Sequence, residues 1–137
     1  TERNSSAASD VYKRQTMEHC ATLDPNDPSG YYKVATFHWD KAYRDHSLNE
    51  KEKNEYADLG IEAVDEALEI QPDYWEAIIT KGLLFRVKAQ VAPTRGDRKT
   101  YLEQATILQK QALDLRKEQQ DAADAEAAEV PPEAMAE

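Results

Sequence analysis

The sequence predicts an all-α protein built of antiparallel helix pairs stacked as repeats, and three observations carry that expectation. A helix-ending phrase recurs. It reads Ala63-Val64-Asp65-Glu66-Ala67-Leu68-Glu69-Ile70-Gln71-Pro72 and returns as Ala105 to Leu115, with a partial copy at Cys20-Ala21-Thr22-Leu23-Asp24-Pro25. The anchors Leu23, Ile70 and Leu115 thus stand 47 and 45 residues apart. A fixed period of about 20–50 residues marks units that each leave an apolar face for a neighbour. The second observation is helical striping. Tyr56, Leu59, Gly60, Ala63, Ala67 and Ile70 follow one face, and Ala57, Ile61, Val64 and Leu68 lie beside it. Two stripes on one helix mean contacts on two sides. The third is punctuation by proline and Asx turns, with no alternating pattern that would suit a strand.

Each element follows from local signals. Residues 1–15 stand apart: Ser5 to Gln15 reads as an adapter translated in frame or as a polar arm, a non-native or disordered leader in either case. A partial helix is expected over 16–23, closed by Asp24-Pro25. Asp27 is placed as an N-cap with Pro28 at the first helical position, which predicts a helix to about His46. Ser47 and Glu50 have capping-box spacing ahead of a helix ending at Ile70. Asp73 and Glu76 repeat that spacing before a helix to about Val91. Pro93 to Asp97 breaks the chain, and a last helix is expected from about Arg98 to Gln119. The array therefore spans 16–118, as the partial helix and units 28–70 and 73–118. Residues 119–137 are rich in Ala, Glu and Asp with little apolar mass, which predicts fraying helix and then disorder.

Composition narrows the function classes. Charged residues make up 32% and hydrophobic residues 40% of the chain, with four glycines, as expected of helices with narrow apolar stripes. The net charge of −10 is uneven, because seven acidic and no basic residues follow from Glu118 onward. No Lys/Arg cluster provides a nucleic-acid footprint, and no run reaches the roughly 18–20 apolar residues of a membrane span. The single Cys20 excludes an intrachain disulfide. No signal peptide is visible, so the cytoplasm is the default compartment, with export open if a leader lies upstream.

Chemistry-bearing motifs are missing: there is no Gly-rich phosphate loop, CxxC or HExxH. His38 and His46 lack further ligands at metal-site spacing, and His19 and Cys20, being adjacent on a helix, diverge by about 100°. Neither a metal nor a cofactor is expected, and the chain reads as a non-enzyme.

Ile78-x2-Lys81-Gly82-x2-Phe85, followed by Ala105 and Ala112, resembles the tetratricopeptide repeat, with its W-x2-L-G-x2-Y helix and its paired alanines. In the first unit Tyr31-x2-Val34-Ala35, then Gly60, Val64, Ala67 and Pro72, keep similar offsets. Both units depart from the family by carrying about a dozen extra residues between their signature halves, which predicts long helices. The period also overlaps HEAT and armadillo arrays, the rival for the fold.

What the resemblance implies is a right-handed solenoid, the C-terminal piece of a longer bacterial-type scaffold, binding a partner peptide or helix on a concave face lined by the first helix of each pair. By position that face would present Tyr32, Lys33, Thr36, Trp39 and Asp40 from the first unit, and Glu76, Ile79, Thr80, Leu83 and Arg86 from the second. The basic clamp for C-terminal carboxylates is not reproduced, since Tyr32 and Thr36 occupy two of its places. The expected partner is a protein or peptide. The alternatives are a homo-oligomer, in which a repeat face pairs with a second copy, and a small-molecule-binding or enzymatic domain.

Overall fold

The computed structural model describes the backbone of residues 2–129 and the side chains of residues 11–128. Five helices follow in chain order: α1 (Glu2–Leu23), α2 (Pro28–Arg44), α3 (Glu50–Ile70), α4 (Trp75–Gln90) and α5 (Arg95–Glu129). No strand occurs among the described residues, and the chain is all-α. α1 is continuous back to Glu2, through the segment that the sequence sets apart as a leader. α5 continues as helix to Glu129, and the rest of the expected disordered tail, residues 130–137, lies outside the described residues.

The helix starts follow capping chemistry, with two corrections. Asp27 accepts the Ser29 backbone N–H at 2.9 Å, and Pro28 opens α2 as expected. Those Ser29 donors, hydroxyl first, hold the Asp27 carboxyl below its ordinary pKa. Ser47 does not cap α3. Its hydroxyl and backbone N–H both donate to Asp45, which closes α2. The capping box shifts two residues along: Asn49 accepts the Glu52 N–H at 2.8 Å, while Glu52 accepts the Asn49 N–H at 3.3 Å. Asp73 does not cap α4 either, because the helix starts at Trp75 and the residue before it, Tyr74, makes no side-chain cap bond. Thr94 starts α5 three residues before the expected position, its hydroxyl accepting the Asp97 N–H at 3.1 Å.

Packing follows the chain. α2 lies along α3 and α4 along α5, α3 joins α4, and α2 touches both α1 and α4. The two pairs share a register: α2 and α4 start 47 residues apart, and α3 and α5 start 45 apart. Small residues occupy matching buried positions, Ala35 with Gly82, Gly60 with Ala105 and Ala67 with Ala112. A small side chain lets one backbone approach another closely, and Gly60 shows the need most directly. A Cβ there would stand 2.8 Å and 2.9 Å from the two methyl carbons of Leu84. Leu84 is fully buried, and burying a leucine stabilises by roughly 1.5–3 kcal/mol. Two ion pairs flank this seat between α3 and α4, Lys81 with Asp65 at 2.6 Å and Lys88 with Asp58.

Candidate functional site

The residues expected to line one binding face divide between two places. On α2, Tyr32 is half-buried edge-on to Tyr74 of the α3–α4 turn, with ring centroids 5.3 Å apart. The Thr36 hydroxyl donates to the Lys33 carbonyl of its own helix at 2.8 Å. Trp39 stacks on Tyr43 at 5.2 Å, and exposed Asp40 pairs with Arg44 at 2.9 Å. Lys33 is exposed. These five residues lie apart from the groove between α4 and α5.

On α4 the outcome differs. Ile79, Leu83 and Arg86 meet Ala105, Gln109 and Leu113 of α5 around an open groove of about 330 Å³. The Arg86 guanidinium donates to the Gln109 side-chain oxygen at 3.0 Å across it. Glu76 stands half-buried in the first turn of α4. Thr80 requires correction as a groove residue. It is 4% exposed, and its hydroxyl donates back to the Glu76 carbonyl at 3.1 Å, so the side chain is spent inside the core.

Sequence reasoning missed the α5 wall. Leu113 is 48% exposed on that wall, while Leu102 and Ile107, 41% and 59% exposed, lie elsewhere on the surface of α5. The register explains why. Shifted by 45 residues, the α5 residues Ala105, Gln109 and Leu113 correspond to Gly60, Val64 and Leu68 of α3. In the first pair that face is covered by α4, with Leu84 on Gly60. In the second pair the chain does not turn back after Leu115, so nothing among the described residues covers it. Instead α5 runs on past the start of α4. Arg116 lies over the Trp75 ring at 5.2 Å, and the Gln119 amide donates to the Asp73 carbonyl at 2.8 Å. A lack of helix-stopping residues after Leu115 was the available signal, since Arg, Lys, Glu and Gln all favour helix.

A second groove, about 250 Å³, lies between α1 and α3 over α2. His38 lines it at 1% exposure, its Nδ1 without a hydrogen-bond partner and its Nε2 3.9 Å from Glu18 Oε1. Burial, with Arg14 adding to it, pushes the His38 pKa down to about 4, so the ring is neutral at physiological pH. His46 is exposed, and among the described residues no cluster of His, Cys, Asp or Glu is arranged to hold a metal ion. Cys20 is a free, exposed thiol. No described helix is long and apolar enough to cross a membrane. No family model matches the chain, and no curated protein or solved structure matches it.

Proposed function

We propose that the chain is a non-catalytic protein–protein interaction scaffold, a long-helix relative of the tetratricopeptide repeat stacked as a right-handed solenoid, that receives a helix or peptide from a partner. The observation that carries this reading is the open α4–α5 groove, which repeats in register a face that α4 itself covers in the first pair. An apolar surface built to seat a helix, left uncovered, favours association with another chain. Tyr32, Thr36 and Trp39 hold the corresponding positions on α2, in the pair whose face α4 covers, and lie apart from the open groove. A non-catalytic role fits the titratable groups. His38 is buried and neutral, and the Glu18 carboxylate oxygen 3.9 Å from its ring is beyond hydrogen-bond reach.

Selection of helical peptides from a displayed library against the immobilised chain tests this reading. Selected peptides are expected to lose about tenfold or more in affinity for a Leu83→Asp variant whose thermal unfolding is unchanged. No selected peptide, or affinities indifferent to Leu83→Asp, would count against a binding groove. The exposed Leu113 in this groove also favours a second reading, self-association through this face. Sedimentation at high micromolar concentration decides it, because a monomer removes the homo-oligomer.

A further inference from the structure

We infer that the α4–α5 groove selects a helix of defined charge order: an acidic residue, an aliphatic residue three positions later and a basic residue four beyond that, lying antiparallel to α5. This rests on the protein-binding reading above and adds the partner's chemistry to it. The template is the chain's own first pair. There α4 lies antiparallel to α3, with Leu84 seated on Gly60, Lys81 on Asp65 and Lys88 on Asp58. Moved 45 residues along, Gly60 becomes Ala105, Asp58 becomes Glu103 and Asp65 becomes Lys110. One end of the seat keeps its negative charge and the other reverses. Glu103 has exposed Lys99 3.9 Å away, and Lys110 has no ion-pair partner among the described residues. A helix crossing here in the register of α4, set back to clear the Ala105 Cβ that Gly60 lacks, would bring a base to Glu103, an acid to Lys110 and an aliphatic side chain between them over Ala105.

The same charges disfavour a second copy as occupant. α4 of another molecule would set Lys81 against Lys110, and Leu84 is already buried in its own pair. No aliphatic residue in this sequence has an acid three positions before it and a base four after it. The occupant proposed is a partner helix that carries this charge order. Charge order of this kind rejects wrong partners more than it strengthens the right one.

Two fluorescently labelled synthetic peptides spanning residues 73–91 test the inference, one with the native sequence and one carrying Lys81→Glu. Each is titrated into the full chain and into its Lys110→Glu variant. Lys110 is exposed, and circular dichroism verifies that the variant keeps its helix content. The Lys81→Glu peptide is expected to bind the unaltered chain about fivefold tighter than the native peptide, and Lys110→Glu to reverse the order. Leu113→Asp should weaken both. Equal binding of the two peptides that is still weakened by Leu113→Asp would sink the charge order and leave the groove as a binding site. A tighter native peptide would mean that it displaces α4 from Asp65, which also overturns the inference. So would no binding of either peptide, or self-association abolished by Leu113→Asp, which would make a second copy the occupant.

Discussion

The pairs α2/α3 and α4/α5 are built in one register, yet the same face is sealed in the first and open in the second. Val64 is fully buried, while its counterpart Gln109 is exposed. Ala57 is fully buried, while its counterpart Leu102 is 41% exposed. Both pairs bury Ala67 and Ala112, which face inward between the paired helices. Within-pair packing is thus set by the pattern that the two units share. The outer face is set by what the chain does next. After Ile70 it stops at Gln71-Pro72 and turns back as α4, whereas after Leu115 it continues straight. Residue identity follows at position 64, an apolar Val under cover against a polar Gln109 that no described residue covers. It does not follow at position 57, where exposed Leu102 stands for buried Ala57.

The seat of α4 on α3 gives the largest expected effect. Leu84→Ala removes a fully buried side chain that is seated on Gly60 of α3. The expected cost is about 4 kcal/mol in urea unfolding. The comparison sharpens if Leu113→Ala, on the uncovered face, changes the same measurement by less than about 0.5 kcal/mol. A small loss at Leu84 would mean that α4 does not seal the first pair.

The second prediction concerns a titration that only the first pair carries. His38 corresponds to Phe85 in the second pair, a residue that takes no proton. The groups around His38 include Arg14 and Glu18 of α1, the Phe37 ring of its own helix and the Tyr56 ring of α3, with Glu62 and Glu66 of α3 lining the same groove. The folded chain keeps the ring neutral down to about pH 4, whereas the unfolded chain binds a proton near pH 6.5. Between those values the unfolded state holds more protons, so stability is complete above the upper value and falls as pH drops through the window. The full loss is about 3 kcal/mol. Urea unfolding at several pH values should show this slope, and His38→Phe should flatten it. Asp45 does not confuse the result. Lys41 first, then Ser47, hold its carboxyl well below the usual range, so its contribution is lost at lower pH than that of His38. A slope surviving in His38→Phe would assign the titration elsewhere.

Much of this architecture was legible in the sequence, because apolar period and proline punctuation are local. Asp27-Pro28 located the start of α2, and Gln71-Pro72 located the end of α3. The α3 cap was not legible, since Ser47–Glu50 and Asn49–Glu52 offer the same box two residues apart. Asp45 decides between them by engaging Ser47, a contact that spacing alone does not encode. On the candidate face, Ile79, Leu83 and Arg86 were reachable from the repeat register. Thr80 was not, because one residue's shift around a helix, about 100°, turns a surface position into a core one. The α5 wall depends on a helix that fails to turn, which is a property of the chain as a whole rather than of any motif.

Exchanging residues between the two pairs gives a smaller and more direct test. Val64→Gln places an amide where the site is fully buried under α4, and an amide without a partner there is expected to cost about 2 kcal/mol. The reverse exchange, Gln109→Val, forfeits one exposed hydrogen bond from Arg86 and adds apolar surface to an open groove. Its effect on unfolding should stay within about 0.5 kcal/mol, because no described residue covers the site where the new methyl groups would stand. The two substitutions are mirror images in sequence, so a symmetric result would show that intrinsic helix preference governs both positions. An asymmetric one isolates the contribution of α4 as a lid. Adding a bound helix then becomes the discriminating step: once the second groove is filled, Gln109→Val should turn stabilising in the complex, and the open pair should behave as the sealed one does.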